Sequence, residues 1–224
     1  MVLAGTAHAQ APSDLRAVDR VLAGTGFGVE TLLRRHAAQG GPFVPDGARP
    51  PPDRWDQLQR ALMVLPLAAP LAEYQVTSGF GRRRDPLNHR RALHPGIDLR
   101  GPLRAPVVAT APGRVVFAGR RGGYGRMVEI DHGLGVRTRY AHLLRITVRV
   151  GQGVELGSRV GLLGSSGRST GPHLHYEVLV DGRQRNPQPF LKAGAQLSDS
   201  ALLSTDRRDR DSRAVPNNPG CPCP

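Results

Sequence analysis

The sequence predicts a mainly β domain: an antiparallel, sandwich-like sheet of short hairpins, preceded by a small helical segment and followed by a disordered tail. Three observations carry that expectation. From about Gln75 the apolar pattern changes from helical spacing to short β-branched runs with glycine between them. Glycine and proline are abundant, 28 and 20 of 224 residues, which suits a turn-rich globular chain and excludes a coiled coil. No glycine-rich phosphate loop opens a helical stretch, which argues against a nucleotide-binding α/β fold.

Taken in order, residues 1–9 read as the end of a secretory signal, because Ala7-His8-Ala9 before Gln10 has the small-x-small form of a signal-peptidase site. Residues 10–75 read as helical. Leu15, Val18 and Leu22 keep helical spacing with Ser13 placed to cap; Val29, Leu32, Leu33 and His36 do the same until Gly40-Gly41. A proline-rich connector covers 42–52. Trp55, Leu58, Ala61, Leu62 and Leu65 form a third stripe, capped by Asp53 and ended by Pro66. These stripes are expected packing faces, and His8 and His36 are expected to be structural or solvated.

The β domain is assigned to 76–192, with strands at 107–109, 114–118, 127–130, 136–140 and 174–180, a hairpin loop at 131–135 and a turn at Asp181-Gly182. Residues 193–224 read as a low-complexity tail. Cys221 and Cys223 lie in it, one residue apart, too close for an unstrained disulfide and too few for a structural zinc site. No run approaches the roughly 18 apolar residues of a helical membrane span, so no integral membrane segment is expected.

Six of the eight histidines fall in the β domain. His94-Pro95-Gly96-Ile97-Asp98 reads as a loop entering a strand, and a separation of four on extended chain puts His94 and Asp98 on one face. His173 and His175, two apart in Gly171-Pro172-His173-Leu174-His175-Tyr176-Glu177, also share a face. His142 follows a strand in Tyr140-Ala141-His142-Leu143. Catalytic zinc sites use three nitrogen or oxygen ligands and leave a position for water. His94, Asp98 and one of His173 and His175 would supply the ligands. His142 and the remaining strand histidine would then serve as acid and base.

With Thr77-Ser78-Gly79-Phe80-Gly81, Ala111-Pro112-Gly113-Arg114-Val115-Val116 and Gly164-Ser165-Ser166-Gly167-Arg168-Ser169-Thr170, these stretches resemble the lysostaphin-type zinc metallopeptidases, the peptidoglycan endopeptidases of bacterial envelopes. The resemblance covers about 76–192, with the motifs in family order. It implies that His94, Asp98 and His175 bind Zn2+ and that His142 and His173 act on the water and the transition state. It also implies hydrolysis of stem or cross-link peptides in peptidoglycan, and a periplasmic or secreted location in the cell envelope. His132, in an Asp-His-Gly turn, is expected to be structural, and His89 a solvated loop residue.

Charge helps to choose among function classes. The chain carries net +13, almost wholly from arginine, since Lys192 is the only lysine. Residues 76–192 hold 20 basic and 7 acidic side chains, and the remainder balances at 11 and 11. The excess therefore belongs to the β domain and suits an anionic cell-wall polymer. Nucleic acid ranks last, because aromatics for base stacking make up only 4% of the chain. A zinc site of this kind would equally serve a peptidase for short glycine-rich extracellular peptides. A non-catalytic envelope module that binds peptidoglycan or activates an amidase would show a missing ligand, and none is missing.

Overall fold

From Gln75 onward, β-branched residues and glycine-bearing turns drive the chain into antiparallel strands. The computed structural model describes residues 18–38, 54–84 and 90–197. The expectations for residues 1–17, for the 42–52 connector and Asp53, for His89, for the Trp55 side chain and for the tail with Cys221 and Cys223 lie outside the described residues.

The strands are β1 (Gln75–Ser78), β2 (Gly81–Arg84), β3 (Arg91–His94), β4 (Ile97–Arg100), β5 (Pro106–Val108), β6 (Gly113–Arg120), β7 (Arg126–Gly133), β8 (Val136–Ala141), β9 (Arg145–Ile146), β10 (Gly153–Val154), β11 (Arg159–Leu162), β12 (Leu174–Val180) and β13 (Arg183–Arg185). An eight-stranded sheet runs β1-β4-β12-β8-β7-β6-β10, with β13 also on β12. A second sheet has the order β5-β11-β9, and β2 and β3 form a separate hairpin. The helices are α1 (18–22), α2 (Val29–Ala38), α3 (Arg54–Met63) and α4 (188–197). No described helix is long and apolar enough to cross a membrane.

The expected strands are all present, and the hairpin loop at 131–135 is tighter than its sequence suggests. β7 runs on to Gly133, leaving Leu134 and Gly135 as a two-residue turn with φ of 51° and 77°. Asp181 and Gly182 repeat the arrangement at 51° and 73° between β12 and β13. Positive φ at both central positions marks the turn type whose twist matches paired strands. The short strands β9 to β11 and helix α4 have no comparable sequence signal.

Strand β12 is buried along its whole length because it sits inside the sheet. Its even positions, Leu174, Tyr176, Val178 and Val180, join the apolar core with Ile97, Leu99, Val128, Ile130, Val136 and Tyr140. The buried Tyr140 and Tyr176 hydroxyls both bond Thr110 Oγ1 at 2.9 Å, which satisfies polar groups that burial would otherwise penalise. The N-terminal helices belong to the same core through Leu22, Leu32 and Leu58. Phe27 meets Phe190 of α4 edge-on at 6.3 Å. Arg35 bonds both Asp181 carboxylate oxygens at 2.9 and 2.7 Å and the Leu134 carbonyl at 2.9 Å, so α2 is clamped onto both hairpin turns.

Strand β4 packs so closely on β12 that a Cβ at Gly96 would run into the Tyr176 carbonyl and the Glu177 side chain. Gly96→Ala should therefore push β4 away, lower stability by about 1–3 kcal/mol and weaken metal binding. The midpoint of guanidinium unfolding and a zinc titration of the same protein check both effects.

Candidate active site

Backbone register places the site. On β12, His175 lies opposite Asp98 of β4 on one side and Ala141 of β8 on the other. Ile97 and Leu99 turn into the core, so alternation turns Asp98 the other way. His94 ends β3, and Pro95-Gly96 carries the chain across to β4. The two residues thus reach one point from different strands and not along one extended run. His94 Nε2 lies 3.1 Å from Asp98 Oδ1 and 3.0 Å from His175 Nδ1, and His175 Nδ1 lies 2.9 Å from Asp98 Oδ1. All three side chains are buried.

Hydrogen bonds on the far side of each ring set its tautomer. His94 Nδ1 donates to the Gly79 carbonyl at 2.7 Å, and His175 Nε2 donates to Glu177 Oε1 at 3.0 Å. His94 Nε2, His175 Nδ1 and Asp98 Oδ1 therefore turn three lone pairs toward one another. Such a cluster repels itself unless a cation or a proton sits between them. The mutual spacing comes within a few tenths of an ångström of the roughly 3.3 Å edge of a tetrahedron with zinc-length bonds. These residues fit a zinc ion and form a three-residue group able to hold a metal.

The outer partners are tied down in turn. Arg83 Nη2 lies 3.3 Å from Asp98 Oδ2, leaving Oδ1 for the cluster. Glu177, fully buried, accepts from the Tyr124 hydroxyl at 2.8 Å and from Arg139 at 3.2 Å, and Arg139 reaches Glu129 at 2.8 Å. Burial pushes the Glu177 carboxyl up, but bonds from His175 and Tyr124 and the Arg139 charge hold it below the usual carboxylate range. Burial, reinforced by Glu177, pushes Tyr124 up to about 12, so it remains a donor. Burial opposes ionisation of Asp98 as well, yet His175 and His94 bring it well below its ordinary value.

His142 and His173 stand beside the cluster, with ring centroids 4.8 Å apart. His142 Nδ1 donates to the Ser166 carbonyl at 2.8 Å, and His173 Nδ1 to the Gly171 carbonyl at 2.8 Å. Both rings thus carry the acceptor lone pair on Nε2. His142 has φ of 61°, a strained conformation held by its backbone N–H on the Tyr124 carbonyl at 2.9 Å. Ser166 fixes the spot, because its hydroxyl bonds the Leu143 carbonyl at 2.7 Å and the Arg126 N–H at 2.9 Å. Behind Ser166, Gly167 lies against Gly125, where a side chain on either would collide with the other segment. Burial, with the nearby His173 and His175, pushes His142 down to about 4 against the Ser166 bond. It is therefore neutral at ordinary pH.

All five residues named from sequence meet in one cleft of about 780 Å3, whose rim includes Tyr124, Leu103, Arg100 and Arg168. His132 lies elsewhere, bonded to the Pro112 carbonyl at 2.7 Å and Thr138 at 2.8 Å, which is a structural role. His36, on α2, is also outside the cleft. Sequence reasoning missed Glu177, Arg83 and Tyr124. Glu177 had a readable signal, since positions 173, 175 and 177 alternate onto one face. Tyr124 had none, because a turn of 3-10 helix at Gly122–Tyr124 delivers it.

Residues 92–187 match peptidase family M23. The chain is 41% identical over 145 residues to the DD-carboxypeptidase/endopeptidase Mpg of Neisseria meningitidis, covering 64% of this chain and 34% of that protein. It is 40% identical over 146 residues to the peptidoglycan DD-endopeptidase ShyA of Vibrio cholerae, covering 65% and 33%. Among solved structures, a zinc-containing peptidase from Vibrio cholerae is similar, with 41% identity and a TM-score of 0.50 over 52% of this chain and 37% of that one. The chain spans about a third of the length of the curated relatives it matches.

Two outcomes follow from the geometry. Glu177→Ala, which frees the His175 ring and leaves Arg139 with one fewer carboxylate, should weaken zinc affinity by about 10–100-fold, as read by competition with a chelating dye. As pH falls, the unfolded chain takes up a proton near 6.5, before folded His142 does near 4. The metal-free protein should therefore lose stability between those values, and His142→Gln should make the loss shallower in urea midpoints measured across that range.

Proposed function

From the match of residues 92–187 to peptidase family M23, we propose that this chain is a zinc-dependent endopeptidase acting on the stem or cross-link peptides of bacterial peptidoglycan. The observation that carries the reading is the convergence of three lone pairs from His94, Asp98 and His175, with the imidazoles of His142 and His173 beside them. A non-catalytic envelope module has no observation in its favour, since each of the five positions holds a side chain able to do its part.

In this reading His94 Nε2, Asp98 Oδ1 and His175 Nδ1 hold the ion. Zinc, when bound, lowers the pKa of a water toward about 7 and polarises the scissile carbonyl. The chain's own residues supply the rest. Glu177 and the Gly79 carbonyl hold the two ligand rings in the tautomers that binding needs. One of His142 and His173, whose Nδ1 atoms are engaged by carbonyls, accepts a proton at Nε2 from the attacking water, and the proton is returned to the leaving amine. The depressed basicity of His142 keeps it unprotonated and able to accept. The arginine excess of the β domain draws an anionic polymer toward the cleft. Such a substrate places the protein in the cell envelope, in the periplasm or outside the cell.

Mass spectrometry of purified murein digested by the zinc-loaded protein identifies the bond that is cut, and an unchanged digest would refute the reading. His175→Ala should lose the metal. His142→Ala should keep it while turnover falls by about 100-fold or more, measured by metal analysis and product release on one preparation.

A further inference from the structure

Several arginines near the cleft have carboxylate partners: Arg83 with Asp98, Arg137 with Glu129 and Asp131, Arg139 with Glu129 and Glu177. Arg104, Arg120, Arg126 and Arg145 differ. Among the described residues no carboxylate pairs with any of them. All four line one open pocket of about 700 Å3, which has no acidic residue in its lining. Leu144 and Ile146 form part of its apolar wall, and Leu144 is 38% exposed. Arg104 has φ of 69°, a region where glycine or asparagine sits at lower cost, and its backbone is held there by a 3.0 Å bond to the Leu163 carbonyl. Four guanidiniums around one concavity repel one another until an anion enters. Their planar forks match carboxylates.

The pocket shares a wall with the catalytic cleft. Three segments each give one residue to either side: Leu103 and Arg104, Tyr124 and Arg126, His142 and Leu144, the first of each pair facing the cleft. One or two residues of extended chain span about 3–7 Å, so a peptide crossing that wall reaches both.

We propose that this pocket is a subsite for the free carboxylates of a peptidoglycan stem peptide, holding the strand beyond the bond being cut. The proposal rests on the peptidoglycan reading of the active site. Stem peptides combine carboxylates with short aliphatic side chains, and the pocket pairs guanidiniums with an apolar wall. Its concavity and its border with the cleft favour a substrate segment over a flat lipid surface.

The test is calorimetric titration of the zinc-loaded full chain, carrying His142→Ala to prevent turnover, with a soluble disaccharide-tetrapeptide muropeptide. Adding R104Q, R120Q and R145Q should weaken binding at least tenfold, roughly the effect of losing one charged hydrogen bond. A muropeptide with amidated carboxylates should lose a similar factor on the protein that keeps its arginines, and little more on the triple variant. Equal affinities in all four combinations, with murein still digested by the wild type, would overturn the subsite and leave the peptidase reading intact. No murein digestion by the wild type would overturn both. Arginine-dependent binding of phosphatidylglycerol vesicles with no arginine effect on the muropeptide would assign the pocket to a membrane and also overturn the subsite.

Discussion

The register of β4 against β12 is the constraint on which the rest depends. Pairing Asp98 with His175 puts a carboxylate and an imidazole on the cleft side while Ile97, Leu99 and Tyr176 stay in the core. A slip of one residue would exchange the two faces, exposing the apolar set and burying the charges away from their partners. The core and the chemistry thus enforce the same alignment. The same rows continue across the sheet: Val128, Tyr140 and Tyr176 align on the core side, and Glu129, Arg139 and Glu177 on the other. In an alternating charge row of this kind each member pairs with the next, which offsets part of the cost of taking it out of water.

That row gives the site its electrical character. Glu177 anchors His175 and is itself anchored by Tyr124 and Arg139, so the His175 ring cannot turn without breaking a buried, charge-assisted bond. The two histidines beside the cluster lean on backbone carbonyls, which fix a ring without adding charge. The difference separates tasks. His175, held between two carboxylates, is pushed up against its burial, whereas His142, held by a backbone carbonyl, is pushed down.

Much of this was legible in the sequence. Strand β12 appears at its stated limits because five of its seven residues, Leu174, Tyr176, Val178, Leu179 and Val180, are strand-forming apolar residues and Asp-Gly follows them. The five residues that share the cleft were recognisable from their motifs, although His94 and Asp98 meet from two strands and not along one. What escaped reading depends on contacts between distant segments. Tyr124 comes from a turn whose sequence, Gly-Gly-Tyr, says nothing of what lies opposite. Arg83 belonged to an arginine-rich run in which no member stood out until the β2–β3 hairpin set it over Asp98. Helix α4 was missed, and residues 193–197, expected to be tail, continue it, because its Phe190 and Ala193 pack into the core.

Ser166 joins three segments through its carbonyl and its hydroxyl, and two glycines let those segments approach. The loop it belongs to therefore has a locked root and an open tip, where Arg168 and Thr170 face the cleft. Over evolutionary time the two ends answer to different pressures. Changes at the tip reshape the cleft wall, and the imidazole at the root does not register them. A lineage can vary the cleft wall along this loop while inheriting the placement of His142 unchanged.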